Sequence, residues 1–308
     1  MSSNPPMVYP HRQYGMDHDR YDWSLLQKRA PVEWPDGKNI ALWVNIAVEI
    51  FPMDDDAKPF KLPGTMVKPY PDLQTYTWRD YGNRVGIYRV MRAADKFGIK
   101  PDWSVNAAIA EKYPRLLRDI LARDEDVIAH GMDMASPHHG EMSEADERAL
   151  VEKTLSLLKG AGAKDIRGWL SPGKSQSART PEILADAGLE FFCDWPNDEL
   201  PYRFRTDAGE ITSMPHSSDL NDRRIIVDFR HDEASFVDQV KDQYTYLSRE
   251  AAAEGGRVMS LTLHPWVTGQ SHRIAALEEA FAFLCDKADI WFASGADICT
   301  EWKRQTGG

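Results

Sequence analysis

Short apolar runs alternate with segments of helical periodicity along most of this chain. The first run, Asn39 to Val48, is almost continuously apolar, as expected for a strand buried on both faces of a sheet. Similar runs lie at 103–106, 127–129, 166–170, 190–193, 258–263 and 290–293. A strand-then-helix unit that recurs about seven times predicts a parallel sheet covered by helices, in a barrel-like β/α arrangement.

The boundaries of the fold follow from where this alternation starts. Residues 1–38 lack it, and their aromatic side chains predict an N-terminal arm packed on one barrel domain that spans 39–308. Residues 51–80 are rich in proline and predict a long loop of the kind that often covers a site. We also expect a loop at 194–205 and a short strand from Ile225 to Val227.

Charge and composition exclude several classes of protein. The formal net charge of −11 offers no basic face to phosphates, so nucleic acid is not an expected partner. No apolar run approaches the roughly 18–20 residues that cross a bilayer, and the first residues do not resemble a secretory signal. Three widely spaced cysteines (Cys193, Cys285 and Cys299) predict free thiols. Together these features predict a cytoplasmic protein without a membrane partner.

Three ionisable residues follow apolar runs directly. Glu49 ends the first run, His130 ends the run at 127–129, and His264 ends the run at 258–263. Parallel strands of a β/α fold end at the same edge of the sheet, where chemistry gathers. Each residue alone could have a structural role, but the three together predict an active site with Glu49, His130 and His264 as catalytic residues.

The stretch after His130 bears on metal binding. Met134 occupies the position four residues after His130 where a second histidine would complete a metal-binding pattern. His138 and His139 lie in the next loop, but adjacent histidines point in different directions in most backbone conformations. We therefore expect no tightly bound metal. The alternative is a loosely bound zinc ion held by Glu49, His130 and either His138 or His264.

Polar residues after other predicted strands are candidates for substrate binding. Arg167 and the loop Ser171-Pro-Gly-Lys-Ser175 could bind an anionic or amide group. The segment Asp219-Leu-Asn-Asp222 is dense in polar side chains; it could contribute Asp219, Asn221 and Asp222 to the site, or form only a turn. No nucleophile elbow or dinucleotide fingerprint is present.

The order of these motifs resembles the polysaccharide deacetylase (NodB homology) superfamily from about residue 39 to residue 303. The resemblance rests on Glu49 after the first strand, His130-Gly131, Arg167-Gly-Trp-Leu-Ser-Pro172 and Leu263-His-Pro265. Trp34-Pro-Asp-Gly37, Asp80-Tyr-Gly82 and Asp219-Leu-Asn-Asp222 are similar to the branch that contains metal-independent allantoinases and cyclic-imide hydrolases. The resemblance implies a distorted (β/α)7 barrel, and it adds Trp169 to the substrate-binding residues.

The resemblance also implies the chemistry. Typical members hold a metal with an Asp and two histidines four residues apart, whereas this chain has Glu49 and Met134 at the corresponding positions. We therefore predict an amidohydrolase that opens a small cyclic amide, imide or ureide. Glu49 would orient or deprotonate water, His264 would protonate the leaving nitrogen, and His130 would hold the substrate carbonyl.

Two other functions stay open at this point. One is a metal-dependent N-deacetylase, and the other is a barrel that binds a small ligand without converting it. A homo-oligomer is expected from the resemblance.

Overall fold

The computed structural model of the chain describes residues 18–54 and 70–307. Within these residues, nine strands form one sheet and nine α-helices accompany it. The strands are β1 (Ile40–Val48), β2 (Asp102–Val105), β3 (Val127–Ala129), β4 (Gly168–Trp169), β5 (Phe191–Phe192), β6 (Tyr202–Thr206), β7 (Gly209–Ser213), β8 (Arg257–Leu263) and β9 (Ile290–Phe292). The helices are α1 (Leu73–Tyr81), α2 (Ile87–Phe97), α3 (Ile109–Lys112), α4 (Pro114–Leu121), α5 (Glu144–Gly160), α6 (Thr180–Asp186), α7 (Glu233–Glu254), α8 (Ile274–Cys285) and α9 (Gly295–Thr306).

The sheet has the order β6-β7-β5-β4-β3-β2-β1-β8. Every pairing is parallel except the one between β6 and β7, which form an antiparallel hairpin at one edge. β1 is buried along its whole length, and it pairs with β8 on one side and with β9 and then β2 on the other. This arrangement confirms the predicted β/α architecture and brings the carboxyl ends of β1, β3 and β8 to one edge.

Helix boundaries follow local capping. The side chain of Ser143 accepts a hydrogen bond from the Asp146 amide at the start of α5, and Asp232 caps α7 in the same way through the Ser235 amide. Asp72 caps α1 through the Thr75 amide, so the predicted loop at 51–80 contains a helix. Residues 55–69 of that predicted loop lie outside the described residues.

Two other local predictions were wrong. The segment predicted as a loop at 194–205 contains most of β6, which pairs with β7. Ile225 to Val227, predicted as a strand, lies inside a π-helical segment, Arg223–Asp228. An apolar run this short fits either structure, and periodicity alone does not separate them.

Val32 and Trp34, which precede β1, contact the amino end of β8. Trp34 is buried and donates a hydrogen bond from Nε1 to the carbonyl oxygen of Arg257 (3.0 Å), while the Gly256 amide donates to the carbonyl of Val32 (2.7 Å). Trp23, in contrast, is 58% exposed, so the expectation that the arm's aromatic residues are all buried does not hold for it. No helix among residues 18–54 and 70–307 is long and apolar enough to cross a membrane.

Candidate active site

Glu49 follows β1 at the carboxyl edge of the sheet, and its side chain is almost completely buried. Its backbone carbonyl accepts a hydrogen bond from Nδ2 of Asn83 (2.8 Å), and its Oε2 accepts one from Nε1 of Trp266 (3.2 Å). Its Oε1 lies 3.8 Å from Nε2 of His264 and 3.9 Å from Nε2 of His130. These two separations are longer than hydrogen bonds. The carboxylate of Glu49 therefore faces both imidazoles without a hydrogen bond to either.

His264 is fixed by Asp222. Nδ1 of the imidazole lies 2.7 Å from Oδ1 of Asp222, and the His264 amide donates to both carboxylate oxygens (3.0 and 2.9 Å). The hydroxyl of Thr268 donates to Oδ2 of the same carboxylate (2.8 Å). Because Nδ1 is engaged by an acceptor, it carries a proton, and Nε2 is the nitrogen directed toward Glu49.

His130 is held by main-chain contacts. Its Nδ1 lies 2.7 Å from the carbonyl oxygen of Leu170, which can only accept, so Nδ1 is protonated. The side chain of Asn106 donates to the His130 carbonyl and accepts from the Ile50 amide (2.8 Å), which ties the residues after β1, β2 and β3 together. In its neutral form His130 therefore offers a lone pair at Nε2, not a donor.

Glu49 and His264 each stabilise the charged form of the other. Burial alone would raise the pKa of Glu49, but the positive charge of His264 and the contact with His130 outweigh it and lower the pKa to about 2. Burial alone would lower the pKa of His264, and the negative charges of Glu49 and Asp222 raise it above its usual value. Glu49 is therefore a carboxylate at neutral pH, and His264 is a proton donor next to it.

The cluster opens into a cavity of ≈ 170 Å³. Among the described residues, those that line it are Ala47, Glu49, His130, Met134, Leu170, Ser171, Gly173, Lys174, His216, Ser218, Asn221, Arg223, Arg224, Asp228, Thr262 and His264. A second cavity of ≈ 270 Å³ lies on the side of Tyr76, Arg79 and Tyr113 and shares Glu49 with the first. Glu49 thus contributes to the walls of both.

The predicted substrate-binding residues divide into two groups. Ser171 and Asn221 line the first cavity, and Asp222 is buried behind His264. Trp169 is buried and donates from Nε1 to Oγ of Ser171 (2.9 Å), so it supports a residue of the wall.

Two of the predicted substrate-binding residues are not brought to the site. Arg167 precedes β4, at the amino end of the strand, and its guanidinium binds Glu190 (2.6 and 2.7 Å) and the hydroxyl of Thr300. Asp219 is exposed and lies 3.4 Å from Arg224. Neither Arg167 nor Asp219 lines the cavity, so the prediction that they contact the substrate is not supported by their positions.

His138 also lies away from the cavity wall. It is fully buried, with Nδ1 3.0 Å from Glu147 and its ring packed edge-on against Trp169 (5.6 Å between centroids). The predicted alternative in which His138 completes a metal site with Glu49 is therefore not supported by its position. Within 18–54 and 70–307, no group of three or more His, Cys, Asp or Glu side chains is arranged to hold a metal ion.

Several residues of the site were not assigned a role from the sequence. Asn83 and Trp266 hold Glu49, and nothing in their sequence surroundings distinguishes them. His216 is buried in the cavity wall, where its Nε2 lies 2.8 Å from Nδ2 of Asn45; burial and the charge of Lys174 hold its pKa well below the usual value. The strand-end rule that found Glu49 could have found His216, which comes shortly after β7.

No protein-family model matches the chain. A curated protein of Schizosaccharomyces pombe named "Putative polysaccharide deacetylase" is 21% identical over 240 residues, which cover 72% of this chain and 74% of that protein.

Solved structures are similar over nearly the whole chain. The crystal structure of PuuE allantoinase superposes with a TM-score of 0.83 at 22% identity, over 92% of this chain and 98% of that one. A "probable Polysaccharide deacetylase" from Pseudomonas aeruginosa PAO1 superposes with a TM-score of 0.79 at 22% identity, over 90% and 95%. These likenesses confirm the predicted distorted (β/α)7 barrel, the fold that the chain shares with PuuE allantoinase and with the probable polysaccharide deacetylase.

Proposed function

We propose that this protein is an amidohydrolase that opens a small cyclic amide, imide or ureide by cleaving a carbon–nitrogen bond. The observation that carries the proposal is the placement of Glu49 between two imidazoles, one of them paired with Asp222, in a small cavity. An acid and a base whose pKa values are displaced in opposite directions are what hydrolysis of an amide requires. The names of the similar proteins, an allantoinase and polysaccharide deacetylases, are consistent with carbon–nitrogen hydrolysis.

In this proposal Glu49 positions the attacking water. A carboxylate with a pKa of about 2 is a weak base toward free water, but it accepts the proton as the bond to the carbonyl carbon forms and the water becomes acidic. His264 gives its Nε2 proton to the departing nitrogen, and Asp222 stabilises the imidazolium before that transfer. The proton on Glu49 then returns to His264, which restores both groups.

His130 takes a different role from the one that the sequence suggests. With its Nδ1 proton donated to the Leu170 carbonyl, a neutral His130 accepts a hydrogen bond at Nε2. We therefore propose that Nε2 of His130 accepts a hydrogen bond, either from the second O–H of the attacking water or from a ring N–H of the substrate. The side-chain amide of Asn221 in the wall can donate to the substrate carbonyl, whereas the amide and the hydroxyl of Ser171 already donate to Asp194.

A metal-dependent N-deacetylase is the second candidate, favoured by the names of two of the similar proteins. Its zinc ligands would have to come from Glu49, His130 and His264, whose side chains are of the types that bind zinc, although among the described residues these three are not arranged to hold a metal ion. A zinc ion would supply Lewis-acid activation of the carbonyl. Met134, which lines the same cavity, presents a thioether in place of a third imidazole.

One experiment separates the two candidates. The purified chain is analysed for metal content, treated with a chelator, and assayed for ring opening of hydantoin, succinimide and allantoin and for acetate release from N-acetylglucosamine oligomers. Ring opening that survives chelation supports the proposal. Activity that tracks stoichiometric zinc and returns with added zinc or cobalt contradicts a metal-free reaction, and acetate release identifies the deacetylase.

Three expectations from the sequence stay predictions. They are the division into an arm (1–38) and a barrel (39–308), assembly into a homo-oligomer, and a cytoplasmic location.

A further inference from the structure

Lys174 extends from the turn after β4 into the wall of the Glu49 cavity. Gly173 (φ 62°) and Lys174 (φ 56°) are both in the left-handed region, which is uncommon for a lysine. This backbone places the ammonium group where it donates to the carbonyl of His216 (2.6 Å) and to the hydroxyl of Ser218 (3.0 Å). The turn thus holds a cation in the cavity wall at the expense of local backbone strain.

The two groups that bind Lys174 are uncharged. The negative charges of Asp194 and Asp219 act against the lowering of the Lys174 pKa by burial, but neither carboxylate forms an ion pair with the ammonium group. Asp194 accepts from Ser171 and Gln176, and Asp219 lies beside Arg224. No ion pair joins Lys174 to a carboxylate of the described residues. An ammonium group has three donors, and the two contacts above leave one for a ligand.

The other charges in the cavity do not cancel this one. The carboxylate of Glu49 lies against His264, whose pKa is raised, so this pair is close to neutral. Arg223 and Arg224 line the same cavity and each lies near an aspartate, at 3.3 Å from Asp228 and 3.4 Å from Asp219 respectively. Lys174 is therefore the cation of this wall that forms no ion pair with a carboxylate of the described residues.

We propose that Lys174 selects substrates in which a carboxylate group is attached to the cyclic amide, imide or ureide. The proposal rests on the proposed function for the ring, but the recognition of the carboxylate can be measured separately. A carboxylate on a partly desolvated ammonium forms a charge-assisted hydrogen bond, and it also compensates a charge for which burial is unfavourable. Burial lowers the pKa of Lys174 to about 8, so the ammonium form predominates at neutral pH.

A purely structural role for Lys174 is the competing explanation. In that case the ammonium group only fastens the turn to the segment 216–218, and its loss would weaken every ligand equally. The two explanations differ in the ratio of affinities for a charged and an uncharged ligand of the same shape.

The test therefore compares the acetate and acetamide derivatives of hydantoin, which are nearly isosteric. Their dissociation constants are measured at pH 7 by calorimetry with wild type, Lys174→Met, Lys174→Gln and a control, Lys303→Met. Lys303 lies next to Glu190 near Arg167, outside the lining of the cavity, and its substitution removes the same amount of charge. Thermal melts establish that each variant is folded, and the glutamine variant can keep hydrogen bonds to the His216 carbonyl and Ser218.

Wild type and Lys303→Met are expected to bind the acetate derivative about tenfold more tightly than the acetamide, the usual size of one charge-assisted hydrogen bond. Both Lys174 variants should lose that preference. Equal affinities in wild type, no binding of the acetate derivative, or a preference that persists in a folded Lys174 variant would each overturn the proposal. If both ligands bind but neither is hydrolysed, the proposed hydrolysis fails for this ring while the affinity ratio still decides the role of Lys174.

Discussion

At the scale of single residues, the site depends on two opposite charges held at a short distance in a buried place. Glu49 and His264 would each be driven toward the neutral form by burial alone, and each keeps the other charged. Trp266 and Asn83 fix the glutamate, and Asp222 fixes the histidine. The substitutions that are most informative therefore remove one charge and preserve the shape.

Glu49→Gln should abolish most turnover while the protein stays folded. The amide can still accept from Trp266, but it cannot take a proton from the attacking water, so we expect kcat to fall by about a hundredfold or more. The measurement is steady-state ring opening together with a thermal melt. Glu190→Gln, which alters a carboxylate on the far side of the sheet, is the control. A Glu49→Gln variant with near-normal kcat would remove Glu49 from the mechanism.

Asp222→Asn should shift the pH dependence of the reaction. His264 must be protonated to act as the acid, so activity is lost as the pH rises through its pKa. The negative charge of Asp222 raises that pKa, and the uncharged variant should therefore lose activity at a lower pH than wild type. A kcat/KM profile between about pH 5 and pH 10 measures the shift.

Thr268→Val is the matched control for this substitution. It removes the hydroxyl that binds the other oxygen of Asp222 and leaves the bond to His264 in place. The high-pH limb of its kcat/KM profile should lie close to that of wild type. A profile of Asp222→Asn that superposes on the wild-type profile would show that His264 is not the group that titrates.

The positions of the three candidate catalytic residues could be predicted because strand ends have a fixed place in a parallel β/α fold. Glu49, His130 and His264 each follow an apolar run, and that position alone brings them to one edge. Arg167 was misplaced because it precedes its strand and so lies at the opposite edge. Lys174 depends on two left-handed residues after β4, and the direction of a side chain from such a turn is not encoded in periodicity.

At the scale of elements, two π-helical segments support the site. Gly82–Gly86 carries Asn83, which holds the carbonyl of Glu49, and Arg223–Asp228 follows Asp222, which holds His264. A π-helical turn is wider than an α-helical one, and such segments are frequent at functional sites. The sequence predicted a strand for the second segment, because its short apolar run does not indicate the wider helical turn.

Gly86→Ala should disrupt the first of these segments. A Cβ atom at this position would lie 2.0 Å from the carbonyl oxygen of Pro265, and backbone would have to move to accommodate it. Pro265 follows His264 directly, so we expect lower stability, by about 1–3 kcal/mol, together with lower kcat. Denaturant unfolding and ring-opening rates measure the two effects.

Gly160→Ala is the control for that variant. Gly160 is the last residue of α5, and a Cβ atom there would meet no atom within 4 Å. Its replacement should leave activity unchanged and stability equal or slightly higher. If Gly86→Ala matched Gly160→Ala in both measurements, the close packing of the π-helical segment on the residues after His264 would be required neither for stability nor for activity.

At the scale of the whole molecule, each of the two edges of the sheet contains a buried carboxyl group, and the pKa of one is lowered while the pKa of the other is raised. Glu49 at the carboxyl edge is ionised because the positive charge of His264 and the contact with His130 lower its pKa. Asp102 at the start of β2 is also buried, and its Oδ2 accepts from Nε1 of Trp43 and from the Gly295 amide (both 2.8 Å). Burial, followed by the negative charges of Asp126 and Asp297, raises the pKa of Asp102 to about 8. A pKa of about 8 favours the protonated form of Asp102 in the folded protein at neutral pH.

Asp102→Asn should raise the free energy of unfolding, and the gain should grow with pH. The folded chain keeps a proton that the unfolded chain releases near its ordinary pKa, so wild-type stability is lost as the pH rises toward about 8. The asparagine oxygen can still accept from Trp43 and Gly295, and the side chain has no proton to lose. We expect no gain below about pH 4 and a gain on the order of a few kcal/mol near pH 8.

Urea unfolding at several pH values measures this gain, with Asp126→Asn as the control. Asp126 is exposed, and its negative charge contributes to the raised pKa of Asp102. Removing it should stabilise the protein in the same direction but by less, because burial is the larger cause. A stability difference between Asp102→Asn and wild type that does not change with pH would mean that Asp102 is ionised in the folded protein. Its two hydrogen bonds would then outweigh burial, and no proton would be taken up on folding at this edge of the sheet.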